Sequence, residues 1–185
     1  GQIAIDEINA NGGINGCQIE WKFEDDQADS EIAVNAYNNL MDWGMQVMAG
    51  PTTTGSSISV STKCNEERVF MMTPSASSAD VTAGKDNVFQ LCFTDPNQGA
   101  GSATYIAANM PESKIAVIYR NDDAYSQGIR DKFVSTAAEN GLEIVYEGTF
   151  TKDTATDFSV QLNAAQADGA DLVFLPIYYQ PASVI

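Results

Sequence analysis

From Ser30 to Trp43, apolar residues recur at Ile32, Ala33, Ala36, Tyr37 and Leu40, the spacing of one helix face, and Gly44 supplies a stop. KIAVIY, Lys114 to Tyr119, has the opposite character: an unbroken apolar run of strand length, as expected for a strand covered on both faces. These two patterns alternate along the chain. Helical spacing is also found from Ile3 to Asn11, closed by Gly12-Gly13, from Ser56 to Glu67 and from Pro96 to Asn109. Two further helices are marked by Ile129, Phe133 and Ala137, ending at Gly141, and by Phe158, Leu162 and Ala165, ending near Gly169. Strands are expected at QIEWKFED (Gln18 to Asp26), where apolar and polar residues alternate, and at QVMA, RVFMMT, NVFQLCF, KIAVIY, EIVYEGTF and DLVFLP. Alternation of this kind predicts an α/β fold with mostly parallel sheets. The first element is a helix with no strand before it, and the final PASVI reads as the start of another helix. Both features lead us to expect a piece of a longer chain.

Composition narrows the chemistry. The 185 residues are 44% apolar and 18% charged, which fits a globular domain with a real core. The formal net charge of -16 is the wrong sign for nucleic acid or an anionic membrane surface. There is no histidine, so the common general base, the common metal ligand and every Ser-His or Cys-His pair are absent. Cys17, Cys64 and Cys92 form no CxxC pair, and no metal or cofactor site is expected. No apolar run is long enough to span a bilayer. The chain opens on Gly1, which reads as a mature or trimmed product and leaves export open.

In parallel sheets, ligands gather beyond the carboxyl ends of the strands, so the strand-to-helix loops matter most. GPTTTGSS, Gly50 to Ser57, places Thr52, Thr53, Thr54, Ser56 and Ser57 where a helix begins. Helix N-termini expose unpaired N–H groups and a partial positive charge, and one hydroxyl is enough to cap them. MTPSASSADVT, Met72 to Thr82, repeats the theme, and two such loops side by side make a carboxylate cradle. Neither is a phosphate loop, because GxxxxGK[ST] is missing. In CFTDPNQG, Asp95 has two readings. It is a helix cap ahead of Pro96, or a carboxylate facing a ligand ammonium group. QGAGSAT carries Thr104 where a dinucleotide loop needs its third glycine. Tyr125, in the NDDAYSQG loop, and Tyr178 and Tyr179, after DLVFLP, are candidates for a pocket wall.

AIDEINANGGING, GPTTTG, MMTPSAS, CFTDPNQG, NDDAYSQG and LPIYYQPA, in this order, resemble the amino-acid-type solute-binding proteins of ABC importers, the leucine/isoleucine/valine-binding group. The likeness runs through the whole chain. It implies a two-lobed, type I periplasmic-binding-protein fold, α/β with parallel sheets flanked by helices, that closes on its ligand by a hinge. Residues 1–94 would form most of lobe one, without its first strand, and residues 95–185 the first half of lobe two. The resemblance further implies a carboxylate site at Thr53, with Thr54 as the alternate register, and a second donor at Ser77. It puts the ammonium on the Ser75 carbonyl and the Asp95 side chain, and the cover on Tyr125 and Tyr178. If the protein is exported, Cys64 and Cys92 are the expected disulfide pair, with Cys17 free; two buried thiols would give the same sequence.

The function so implied is non-enzymatic. An amino acid, branched-chain or otherwise aliphatic, is captured outside the cytoplasmic membrane, in the periplasm or tethered at the membrane's outer face, and passed to an ABC permease. The alternative on the same fold is the ligand-sensing domain of a receptor. An α/β enzyme stands third, because no nucleophile elbow, phosphate loop or dinucleotide fingerprint is present. An incomplete sheet would also favour a dimer or a strand swap.

Overall fold

The computed structural model describes all residues, Gly1–Ile185. Seven helices and six strands follow in the order α1 (Gln2–Ala10), α2 (Ser30–Trp43), β1 (Val47–Ala49), α3 (Thr54–Glu67), β2 (Phe70–Thr73), β3 (Val88–Gln90), α4 (Asp95–Asn109), β4 (Lys114–Arg120), α5 (Ala124–Glu139), β5 (Glu143–Phe150), α6 (Ser159–Ala167), β6 (Leu172–Phe174) and α7 (Tyr179–Ala182). The strands form two separate parallel sheets, ordered β1-β2-β3 and β5-β4-β6. The alternation of periods in the sequence is thus an alternation of real elements.

The first sheet sits on α2 and α3. Met71 and Val88 point to the helices and pack with Ala33, Tyr37, Val60 and Cys64 in one core. Both helices end in left-handed residues, Gly44 (φ 100) and Arg68 (φ 58), which turn the chain toward β1 and β2. Gly44 adopts that backbone without a Cβ penalty. On the opposite face Val47, Phe70, Met72 and Phe89 are substantially exposed, and the Phe70 and Phe89 rings stack at 5.3 Å.

In the second sheet β4 is central, and Ile115, Ala116, Val117 and Ile118 are all fully buried. That is the structural meaning of its unbroken apolar run: α4 and α5 cover one face through Ala103, Ile106, Phe133 and Ala137, while Phe150 and Phe158 pack against Ile118 on the other. Pairing β4 with two parallel neighbours needs both faces closed by crossover helices.

Two expectations are corrected here. Gln18–Asp26 is not a strand, because no other strand lies beside it to exchange backbone hydrogen bonds. Its alternation is still expressed locally, with Trp21 and Phe23 stacked at 6.0 Å and Trp21 Nε1 donating to Gln2 Oε1. Cys64 and Cys92 are not bonded to each other, and all three cysteines are free. Cys64 is locked into the α2–α3 core near Tyr37, whereas the Cys92 thiol donates to the Ala76 carbonyl at 3.3 Å.

Candidate functional site

The carboxyl ends of β1 and β2 feed the two hydroxyl-rich loops, and hydrogen bonds stitch those loops together. Ser57 Oγ and Thr73 Oγ1 both donate to the Pro51 carbonyl, at 3.0 and 2.6 Å. The Ala76 N–H donates to Thr73 Oγ1, and the Ser77 N–H donates to Thr54 Oγ1 at 3.4 Å. Much of the hydroxyl content of GPTTTGSS therefore holds one loop against the other. Thr53 is the exception. It is the N-cap residue of α3, but its side chain makes no cap bond, and its buried hydroxyl has no partner. Unpaired N–H groups of the first α3 turn lie beside it. Ser77 is buried, and Ser75 is exposed with its carbonyl engaged by no other group of the chain.

Asp95 is where the two sheets' surroundings meet. Its N–H donates to the Ser77 carbonyl at 3.0 Å, tying the start of α4 to the second loop. The cap position belongs to Thr94, so the cap reading of Asp95 is corrected: Asp95 is the first helical residue and Pro96 the second. Its side chain is 1% exposed, and neither carboxylate oxygen completes a hydrogen bond; the Ser77 hydroxyl lies near enough to favour the charged form but not in bonding geometry. Gly128 makes this possible, since a Cβ there would lie 3.1 Å from Asp95 Cβ and 3.2 Å from Oδ2. Burial pushes the Asp95 pKa up to about 6, the nearby Ser77 hydroxyl opposes the rise, and the Asp123 carboxylate adds to it. Asp123 itself caps α5, accepting from the Ser126 N–H at 3.0 Å, and burial raises its pKa too.

Tyr125 is not in a loop but in the first turn of α5, and its ring stacks on Tyr178 at 4.7 Å. Desolvation raises the pKa of both phenols, with Asp95 and Asp123 adding repulsion. The Thr54 backbone lies close enough to Tyr178 to oppose that rise, and the Gln98 side chain does the same for Tyr125. Tyr179 points away, 86% exposed. Thr53, Thr54, Ser77, Asp95, Tyr125 and Tyr178 are thus brought into one locality by five different elements and loops. Thr53 and Tyr178 also line an open polar cleft of about 460 Å³, with Asp29, Glu31, Arg120, Asp122, Asp123 and Lys152 along its walls. An apolar hollow of similar size between α5 and β5, lined by Val134, Leu142 and Ile144, lies away from all of these and offers little polar chemistry.

Sequence reasoning missed Ser126. Its fully buried Oγ donates to the Pro176 carbonyl at 2.6 Å and accepts the Arg120 N–H at 2.8 Å, so it joins the end of β4 to the loop that carries Tyr178. The only signal in the sequence is its position three residues after Asp123, in the first turn of a helix. Ser126→Ala strips a buried carbonyl and a half-buried N–H of their partner at once. We expect a loss of about 2 kcal/mol in unfolding free energy, read as a lower urea midpoint at unchanged slope.

The arrangement has neutral donors at one end, a buried carboxylate at the other, and aromatic rings alongside. Residues 2–182 match the family model described as periplasmic binding protein. Over its whole length the chain is 33% identical to the Leu/Ile/Val-binding protein homolog 3 of Brucella melitensis. Among solved structures it superposes on the leucine binding protein LivK of Thermotoga maritima with a TM-score of 0.90 at 26% identity, over 99% of this chain and 51% of that one. It superposes on the branched-chain amino acid substrate binding protein LivJ of Streptococcus pneumoniae, solved with isoleucine, with a TM-score of 0.86 at 30% identity, over 96% and 50% of the two chains. The chain spans about half the length of the curated relatives it matches. The fold is that of type I periplasmic binding proteins, and the chain belongs to the periplasmic binding protein family.

Proposed function

We propose that this chain supplies the first-lobe cradle and part of the second-lobe wall of a solute-binding protein that captures an amino acid outside the cytoplasmic membrane and hands it to an ABC permease. The role is binding without turnover. In this reading, the first lobe runs through residue 94 and the second begins at Asp95. The solute carboxylate rests on the Thr53 hydroxyl, the Ser77 hydroxyl and the open N–H groups of α3. Neutral donors suit a site that stands open to water between captures, since a buried cation there would cost more to leave unpaired. The ammonium is taken by Asp95, with the free Ser75 carbonyl as a second acceptor. Tyr125 and Tyr178 cover the solute and exclude water. The names of the relatives favour a branched-chain or other aliphatic amino acid.

The observation that carries the reading is Asp95: a carboxylate 1% exposed with neither oxygen in a completed hydrogen bond. A buried charge without a partner is costly, and a ligand ammonium would supply a charge-assisted bond. The test is isothermal titration of the full-length protein with leucine, isoleucine and valine, each against its carboxylic acid lacking the amine and its amine lacking the carboxylate. Binding of the zwitterions alone is the expected result. Equal binding of the amine-free acid would sink the ammonium assignment. Thr53→Val keeps the shape and removes the free hydroxyl, and should weaken the zwitterion about fivefold to twentyfold.

A further inference from the structure

Across the mouth of the polar cleft, Lys152 Nζ stands 3.1 Å from Asp29 Oδ2. Lys152 lies in a short 3-10 turn after β5, in the second α/β unit, and Asp29 caps α2 in the first. Of the ion pairs in the chain, this alone joins the two units. Both partners are held in place from behind. Asp29 Oδ1 accepts from the Glu31 and Ile32 N–H groups, which fixes the carboxylate and leaves Oδ2 for the lysine. The Lys152 N–H donates to Asp122 Oδ2, and Asp122 is in turn bound by Arg120 Nε at 2.6 Å. Hydrogen bonding and the lysine charge hold the Asp29 carboxyl below its ordinary range. The surroundings make the pair unusual. Asp29 and Glu31 on one lip face Asp122 and Asp123 on the other, in a chain of net charge -16. Arg120 is already taken by Asp122 within its own unit, so Lys152 is the one cation set between the two acidic lips.

We propose that Lys152 and Asp29 form an electrostatic latch that holds the two units in this arrangement, across the cleft, and slows solute release. The proposal rests on the solute-binding reading only for the word solute; the latch itself is a property of the two units. The pair is partly exposed, with side chains 61% and 33% accessible. It is therefore too weak to matter for folding but well suited to bias an opening equilibrium. Without it, Asp29 and Glu31 would face Asp122 and Asp123 across the cleft with only Arg120, already paired to Asp122, among them.

The experiment uses the full-length protein with two variants, Lys152→Gln and Asp29→Asn. Asparagine keeps the cap on α2 while removing the charge. Stopped-flow release of leucine at low salt should be about two- to fivefold faster in either variant and no faster in the double variant, because one interaction is lost in all three. At 0.5 M salt the wild-type rate should approach the variants' rates. Small-angle scattering of the solute-free protein supplies a readout that needs no ligand: Lys152→Gln should enlarge the radius of gyration, and salt should enlarge the wild type but not the variant. Additive effects of the two substitutions, or unchanged release and unchanged size, overturn the latch. A change in size with no leucine bound under any condition would leave the latch standing and remove the amino-acid reading instead.

Discussion

Asp95→Asn is expected to remove most of the zwitterion affinity and, in the same molecule, to raise the stability of the solute-free protein. The two effects share a cause. Asp95 is buried with neither oxygen in a completed hydrogen bond, and its pKa is pushed up to about 6 from the ordinary carboxylate value of 3.8. For an acid whose folded pKa is raised, folding favours the protonated form. The penalty is therefore absent below pH 3.8, grows as pH rises toward 6, and is fully present above 6. At neutral pH the substitution should gain on the order of 2 kcal/mol, measured by urea denaturation, and the gain should vanish near pH 4. Binding runs the other way. An ammonium group prefers the ionised carboxylate, so wild-type affinity should fall as pH drops through about 6, by up to tenfold per unit, while the residual affinity of the variant stays flat over that range. A variant that is more stable and still binds would show that Asp95 is only a misplaced charge. A variant that loses binding and stability together would show that it is structural. The expected combination is the signature of a site that holds strain in reserve for its ligand.

The buried strand β4 was the easiest element to see in the sequence, because a strand covered on both faces must be apolar at every position, and Ile115 to Ile118 are. The helices were visible for a similar reason: Ala33, Tyr37 and Leu40 all fall on the one face of α2 that meets the core. Gln18–Asp26 shows the limit. Alternation reports the two faces of an extended segment, but a strand also needs a neighbour, and pairing is a non-local fact that no window of sequence contains. The same limit applied at Asp95. Its spacing to Pro96 suits a cap or the first helical position equally well, and the choice turns on the extended backbone of Thr94 ahead of α4 and on the room that Gly128 of α5 leaves for the carboxylate. Ser126 was hidden for a further reason. A hydroxyl in a helix's first turn has a local use ready to hand, and only the fold reveals that it instead joins β4 to the Pro176 carbonyl fifty residues on.

Gly99 and Gly101 make the point as an experiment. They sit two residues apart in α4, and propensity alone says that alanine at either should stabilise the helix by somewhat less than about 1 kcal/mol. Gly99 is buried where α4 crosses α5. A Cβ there would lie 2.3 Å from the Ile129 carbonyl oxygen and 2.8 Å from the Phe133 nitrogen, both backbone atoms that cannot swing aside. Gly101 is exposed, and a Cβ would meet nothing within 4 Å. Gly99→Ala should therefore cost about 3 kcal/mol or more, since α4 and α5 must be forced apart, whereas Gly101→Ala should gain about 0.5 kcal/mol. Denaturation midpoints of the two variants check both signs together. The consequence reaches the site. Asp95 opens α4, and Tyr125 and Gly128 ride on α5, so separating the helices also shifts the buried carboxylate relative to the Tyr125 ring. Gly99→Ala should accordingly weaken zwitterion binding at temperatures where the protein is still folded, and Gly101→Ala should leave it unchanged. Equal effects of the two substitutions on stability would mean that the close crossing of α4 and α5 does not exist in solution, and the placement of Asp95 against Gly128 would fall with it.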